Sequence, residues 1–108
     1  MPHAFILDGL FPLEVRVKKM FGNYAIYVED KIFLATRHHI HKPIDNGIWI
    51  GTSHQHHESL KKEFPSITNL RLYNIKKWLL LPEESDTFES TALHICDAIK
   101  SGDPRFGV

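Results

Sequence analysis

The chain has 108 residues, of which 43% are hydrophobic and 11% aromatic, with 13 Lys and Arg balanced by 13 Asp and Glu. This length suits one domain spanning residues 1–108, and the apolar share excludes a disordered chain. The single cysteine, Cys96, excludes an internal disulfide bond. The apolar run at residues 78–81 is far shorter than the roughly 20 residues of a membrane span. We therefore expect a cytoplasmic protein without a membrane partner.

The charge is unevenly distributed although the net charge is zero. Residues 1–82 contain 11 Lys and Arg against 7 Asp and Glu, and residues 83–108 contain 2 against 6. The first part is therefore mildly basic and the second acidic. Strong nucleic-acid-binding domains show a larger basic excess, so this pattern indicates a local basic surface at most.

Alternating apolar and polar residues predict an antiparallel sheet of about five strands. The first strand begins at Val15 and places Val15 and Val17 inward. A turn at Gly22 and Asn23 follows, because both residue types tolerate a positive φ. The other predicted strands lie at residues 24–28, 31–36, 48–50 and 76–81, and residues 70–73 are either another strand or an irregular edge.

The sequence assigns positions to two helices. Ser53 is a candidate N-cap for the first helix, which ends before Pro65. Ser85 or Asp86 caps the second, which ends at Gly102. The second helix carries an apolar stripe formed by Phe88, Ala92, Ile95 and Ile99. The fold class is therefore α+β, with an antiparallel sheet packed against two or three helices.

The hairpin sequence is similar to one known family. Residues 19–28 read KMFGNYAIYV and residues 31–35 read KIFLA, and together they resemble the TfoX N-terminal-domain family of small bacterial proteins. Weaker matches follow at residues 47–50 and 78–82. The family often has glycine where this chain has Asn23 and Ala25. The resemblance implies an MmcQ/YjbR-like α+β fold and, by analogy with longer competence regulators, a regulatory role. It brings no catalytic residue with it.

Histidines form the first candidate site. Six of the eight lie in two clusters on either side of the strand at residues 48–50. On a helix, His54 and His57 would share a face with Glu58 nearby, and such imidazole and carboxylate groups can bind Zn²⁺ or Ni²⁺. The alternative is a solvated loop and a polar helix start. The candidate metal ligands are His38, His39, His41, His54, His56 and His57.

Basic residues form the second candidate site. Several aromatic residues on the strands could stack on single-stranded bases, namely Tyr24, Tyr27, Trp49 and Tyr73. The alternative is that the cations are solvated and the aromatic residues pack in the sheet. The candidate nucleic-acid contacts are Arg16, Lys18, Lys61, Lys62, Lys76 and Lys77.

No motif indicates an enzyme, because the chain lacks a nucleophile elbow, a phosphate-binding loop and a dinucleotide fingerprint. Cys96 is predicted to be a buried core residue. Trp78, Leu79 and Leu81 belong either to the sheet centre or to an exposed groove. We expect a non-enzymatic interaction or regulatory domain without a cofactor, which binds a protein partner through its sheet face or an edge strand. Nucleic-acid binding, metal binding and homodimer formation are the alternatives.

Overall fold

The computed structural model describes all 108 residues. It confirms the α+β class, with six antiparallel strands rather than about five and with three helices. No helix is long and apolar enough to cross a membrane. The strands are β1 (Val15–Met20), β2 (Asn23–Val28), β3 (Lys31–Arg37), β4 (Gly47–Ile50), β5 (Thr68–Asn69) and β6 (Leu79–Pro82), and the helices are α1 (Phe5–Leu10), α2 (His57–Glu63) and α3 (Phe88–Lys100).

The strands are ordered β1-β2-β3-β4-β6-β5 across the sheet. Met20 pairs with Asn23, so the first hairpin has the two-residue turn Phe21–Gly22. Both turn residues have a positive φ, at 52° and 81°, as a type I′ turn requires. The predicted turn at Gly22 and Asn23 was therefore wrong by one residue, because Asn23 already belongs to β2.

All three helices pack on one face of the sheet, which we call the helix face. Seventeen buried residues form its core, and they come from alternate positions of the strands and from each helix. The predicted stripe on α3 is confirmed, because Phe88, Ala92, Ile95 and Ile99 are all buried there. The burial of Cys96 is also confirmed, since its residue is 0% exposed.

The opposite side of the sheet, which we call the open face, carries no helix. A second cluster of five buried residues lies there: Ala35, Trp49, Leu70, Leu72 and Leu80. Residues 70–73 do not form another strand, which was one of the two predicted alternatives. This segment instead forms a 3₁₀ turn at Leu72–Asn74, and its residues Leu70 and Leu72 pack onto the open face.

The last strand is shared between the two faces. Leu79 and Leu81 belong to the helix-face core, whereas Trp78 packs against the open-face cluster. Leu79 and Leu81 thus belong to the sheet centre, as one prediction had it, and Trp78 lies on the open side, as the other had it. The strand begins at Leu79 rather than at residue 76.

Two local predictions were wrong, and one helix had no predicted position. Helix α1 is the third of the two or three helices expected, and no residues were assigned to it. Val17 is 42% exposed although it was expected inward, because β1 is an edge strand that no helix covers there. The N-cap of α3 is Thr87 rather than the predicted Ser85 or Asp86. Neither Thr87 nor the predicted cap Ser53 makes a side-chain cap hydrogen bond.

Candidate binding site on the open sheet face

An apolar cavity lies on the open face, between the sheet and the segment that joins β5 to β6. We call it the open-face pocket. Its volume is about 610 Å³, within the range of small-molecule sites. Nine of its ten lining residues are hydrophobic, which are Met20, Phe21, Ala25, Ile32, Ala35, Trp49, Tyr73, Ile75 and Trp78, and the tenth is Asn23.

Two alanines provide the space for this pocket. Ala25 and Ala35 lie directly opposite each other on β2 and β3. Their short side chains leave room beside the large ring of Trp49, which pairs with Ala35 from β4. The indole Nε1 donates to the backbone oxygen of Asp45 at 2.9 Å, so the tryptophan wall is held in place.

The joining segment is fastened to the sheet by a buried carboxylate. Oδ2 of Asp45 accepts the backbone N–H groups of Arg71 and Leu72, each at 2.7 Å. The guanidinium of Arg71 also lies 3.6 Å from Oδ1. Asp45 adopts a φ of 60°, which aspartate tolerates better than most residues. These contacts position the 3₁₀ turn that carries Tyr73 over the pocket.

Two exposed aromatic side chains are among the residues that line the pocket. Phe21 is 93% exposed and Tyr73 is 63% exposed. Both residues also adopt the left-handed backbone region, with φ of 52° and 54°. For a bulky residue this conformation costs free energy, and such outliers cluster at ligand-binding sites. Two large apolar side chains are therefore exposed at the pocket in unfavourable backbone conformations.

The polar corner of the pocket is connected to a buried cation. Arg37 is only 2% exposed, and none of the ion pairs of the chain includes it. Its guanidinium donates to the backbone oxygens of Ile44 and Lys42 at 3.0 Å each and to Oδ1 of Asn23 at 3.5 Å. Asn23, in turn, lines the pocket.

Four of the six predicted nucleic-acid contacts lie on or next to the open face. Lys18 lies opposite Ala25 on the neighbouring strand, and Cζ of Arg16 lies 4.8 Å from the centre of the Tyr27 ring. Lys76 and Lys77 are exposed and sit in the chain between two residues that line the pocket. Another cation, Lys42, lies 5.9 Å from the ring of Tyr73.

The other two predicted contacts, Lys61 and Lys62, are on α2, which packs on the helix face through Leu60. Lys61 donates to Oδ1 of Asn69 at 2.5 Å. The structure thus separates the six basic residues into two groups on different sides of the sheet. Three of the four aromatic residues, Tyr27, Trp49 and Tyr73, lie on the open face. Tyr24 lies on the helix face, at a position alternate to Ala25 on β2.

The first histidine cluster is dispersed. Nδ1 of His38 contacts Glu83 at 2.9 Å, and Nε2 of His3 contacts the same carboxylate at 2.9 Å. The backbone of His39 exchanges two hydrogen bonds with the side chain of Asn46, at 3.0 and 3.1 Å. His41 is exposed. These contacts join the N-terminal segment and the end of β3 to the turn before α3.

The second histidine cluster lies at the start of α2. The rings of His54 and His57 are 5.0 Å apart. His57 contacts the backbone oxygen of Lys77, and His56 contacts Gln55 at 3.2 Å. No group of three or more His, Cys, Asp or Glu side chains is arranged to hold a metal ion. The six predicted metal ligands are therefore not brought together as one site.

The titratable groups with shifted pKa values lie outside the pocket and take part in packing or in ion pairs. Burial raises the pKa of the Cys96 thiol to about 11, and the nearby Asp97 carboxylate adds to the effect. Hydrogen bonds from Arg105 hold the pKa of Asp103 below its usual value. Arg105 also contacts Glu63 at 2.6 Å, so this group ties the C-terminal segment to α2. A thiol that stays protonated is a poor nucleophile, which fits a packing role.

Sequence reasoning overlooked most of the pocket. Met20, Phe21, Ile32 and Ile75 were not singled out, because each looks like an ordinary apolar residue of a hairpin or a loop. One signal was available, namely two small residues, Ala25 and Ala35, on neighbouring strands. Small side chains side by side leave a gap on the sheet surface. The role of the joining segment had no sequence signal.

Comparison with known proteins finds one protein that is similar to part of this chain. An uncharacterised 12.7 kDa protein in the trpE 5′ region of Spirochaeta aurantia is 47% identical over 47 residues. The match covers 41% of this chain and 41% of that protein, so the chain spans about two fifths of its relative. No protein-family model matches the chain. No solved structure matches it either.

Proposed function

We propose that this protein is a non-enzymatic interaction domain with a regulatory role, and that it binds a protein partner through the open-face pocket. The observation that carries the proposal is the pair of exposed aromatic residues Phe21 and Tyr73 in strained backbone positions at an apolar pocket. Aromatic residues around a concave apolar site are typical anchors of protein interfaces. The resemblance to the TfoX N-terminal family fits a regulatory role.

The two sheet edges are less suited to partner binding than the open face. The outer strand β1 carries Arg16, Lys18 and Lys19, and charged edge residues oppose strand addition. The other edge strand, β5, has only two residues. A face-to-face homodimer through the pocket would bring together two basic surfaces. A partner other than a second copy is therefore favoured.

Site-specific photo-crosslinking in the cells that produce the protein tests this proposal. A benzoylphenylalanine residue replaces Phe21 in one variant and Phe11 in the control, because Phe11 is 74% exposed but does not line the pocket. We expect a discrete crosslinked protein with the probe at position 21 and none at position 11. Equal crosslinking at both positions, or none at either, would contradict the proposal.

Nucleic-acid binding is the second candidate function, favoured by the presence of Arg16, Lys18 and aromatic residues on one face. Cations beside stacking surfaces are the arrangement found in single-strand-binding proteins. Binding of this kind weakens steeply as the salt concentration rises, because counterions are released from the phosphates.

A fluorescent single-stranded oligonucleotide, titrated at low and high salt, tests the second candidate. We expect K18Q on the open face to weaken binding several-fold. K62Q removes the same charge from α2 and serves as the matched control. A salt-independent signal, or equal effects of the two substitutions, would reject nucleic-acid binding through the open face.

A further inference from the structure

We propose that the open-face pocket binds a small apolar carboxylate, such as a medium-chain fatty acid or an arylalkanoic acid. This inference deepens the proposed function and rests on the pocket being its binding site. It adds a small-molecule ligand whose presence would control access of the protein partner. The argument has three parts: the apolar volume, the orientation of the one polar side chain, and the charges around them.

The apolar part of the pocket fits a hydrocarbon chain or an aromatic ring. Its floor is formed by Ala25 and Ala35, and its sides include Trp49 and Trp78. Burial of apolar ligand surface against such walls contributes roughly 25 cal/mol per Å². Because nine of ten lining residues are hydrophobic, a ligand that is polar throughout would lose its hydration without gaining partners.

The polar corner presents a hydrogen-bond donor to the pocket. A guanidinium has donors and no acceptor, so Arg37 requires the amide oxygen of Asn23 on its side. With Oδ1 of Asn23 3.5 Å from the guanidinium, the amide nitrogen of Asn23 makes no hydrogen bond within the chain. Asn23 lines the pocket, so this N–H group is available to a ligand there. The site thus calls for an acceptor at one end of an apolar molecule.

The charge near this corner favours an acceptor that is an anion. The Arg37 guanidinium is buried and makes no ion pair, and a buried uncompensated charge is costly. A carboxylate bound at Asn23 would lie one side chain away from that cation. Its negative charge would therefore be stabilised in surroundings that screen charges weakly.

The outer charges act in the same direction. Lys18 is opposite Ala25 on the sheet, and Lys42 lies beside Tyr73. The strand positions that share this face carry no Asp or Glu. The buried acid closest to the pocket in the chain, Asp45, accepts the Arg71 and Leu72 amides through Oδ2, and its Oδ1 lies 3.6 Å from the Arg71 guanidinium. A cationic amphiphile is therefore disfavoured at the same site.

The protein contains its own reporter for this binding. It has only two tryptophans, Trp49 and Trp78, and both line the pocket. Tryptophan fluorescence of the full chain is recorded during titration with decanoate, below the concentration at which decanoate forms micelles. Decyltrimethylammonium, which has the same chain length and the opposite charge, is the matched ligand. We expect a saturable change with decanoate and at least about tenfold weaker binding of the cation.

The variant Asn23→Asp separates the charge effect from the fold. Aspartate has the same shape as asparagine and still accepts from Arg37. It replaces the free N–H donor with a carboxylate oxygen, however, and adds a negative charge that repels a bound carboxylate. We expect this variant to bind decanoate at least about tenfold more weakly. It should still bind N-phenyl-1-naphthylamine, a neutral apolar fluorophore, which shows that the pocket is intact. Asn69→Asp adds the same charge outside the pocket and serves as the control.

Each outcome decides the inference. Selective, Asn23-dependent decanoate binding supports it. Equal binding of both amphiphiles, or an equal effect of Asn69→Asp, overturns the preference for a carboxylate. No saturable binding of any probe overturns the small-molecule site. In that case the photo-crosslink at position 21 still tests the protein partner independently, so the two proposals fail separately.

Discussion

The two faces of one sheet are built from the same strands but have different packing. Leu79 and Leu81 of β6 are 0% exposed beneath the helices, whereas Trp78, which precedes β6 and packs on the open face, is only partly buried. The helix face is filled by side chains from all three helices. The open face has five buried residues and a cavity of about 610 Å³ beside them. The comparison indicates that the helix face holds the larger core, and it fits the proposal that the open face binds a ligand or partner.

The largest expected effect compares matched truncations on the two faces. Leu79→Ala on the helix face should lower the free energy of unfolding by about 3–5 kcal/mol, because it leaves a cavity in a closed core. Ile75→Ala at the open-face pocket should lower it by only about 1 kcal/mol, because its surroundings already contain space. Urea denaturation of each variant measures both values. Equal losses would remove the proposed division between the faces.

The next effect concerns the contacts that hold the joining segment over the open face. Asp45→Ala removes the acceptor for the Arg71 and Leu72 amides and places alanine at a φ of 60°. We expect a loss of about 2–3 kcal/mol, from two charge-assisted hydrogen bonds and the unfavourable backbone region.

Asp45→Asn is the control for that loss, because asparagine keeps one acceptor oxygen and tolerates the same φ. It should lower stability by less than the alanine variant. Hydrogen exchange at the Arg71 and Leu72 amides should accelerate in Asp45→Ala without a matching change in the α3 core. Uniform acceleration over both faces would show that the segment does not open separately.

The same comparison explains which parts of the fold the sequence could predict. The α3 stripe and the hairpin strands follow from apolar spacing, since each residue is buried by its own element against a continuous core. The antiparallel α+β class follows from those elements. Such periodicity records which side of an element is apolar, so it predicts a packed face well.

The pocket could not be predicted in this way, because it depends on contacts between distant parts of the chain. Residues 70–73 looked like a strand, but the buried Asp45 carboxylate draws their backbone into a turn instead. Arg37 was not singled out in the sequence, because its burial beside Asn23 depends on carbonyl groups supplied by the following loop. The histidine clusters were clear in the sequence, but His38 and His57 contact groups elsewhere in the chain, and His41 and His54 are exposed.

A pH experiment tests the interior of the helix face. The pKa of Cys96 is raised to about 11, so the folded protein keeps the thiol neutral while the unfolded chain ionises near pH 9. Stability from this group is complete below about pH 9 and falls as the pH rises towards 11. The loss should reach about 2.7 kcal/mol above pH 11, because the shift is two pKa units at 1.36 kcal/mol each.

Comparison with Cys96→Ala isolates that loss from the titration of tyrosines and lysines. The difference in unfolding free energy between the two proteins should change between pH 9 and pH 11 and remain constant below pH 8. Thiol labelling of the folded protein should also be slow, because the thiolate is scarce and the side chain is buried. A constant difference across the whole range would contradict the assigned cause.

The smallest expected effect has the opposite sign and concerns the open face. Phe21→Asn places a residue that favours the left-handed region at the first position of a type I′ turn, next to Gly22. We expect stability to rise by about 1 kcal/mol, because the strained backbone is relieved and a 93% exposed side chain contributes little packing.

The same substitution should weaken binding at the open-face pocket, which decanoate titration of Phe21→Asn measures directly. Phe11→Asn, at an exposed position outside the pocket, should leave that affinity unchanged. A gain in stability together with a loss of affinity would show that Phe21 is retained for binding at the expense of the fold. A loss of stability would place Phe21 among the packing residues, and the open face would then resemble the helix face after all.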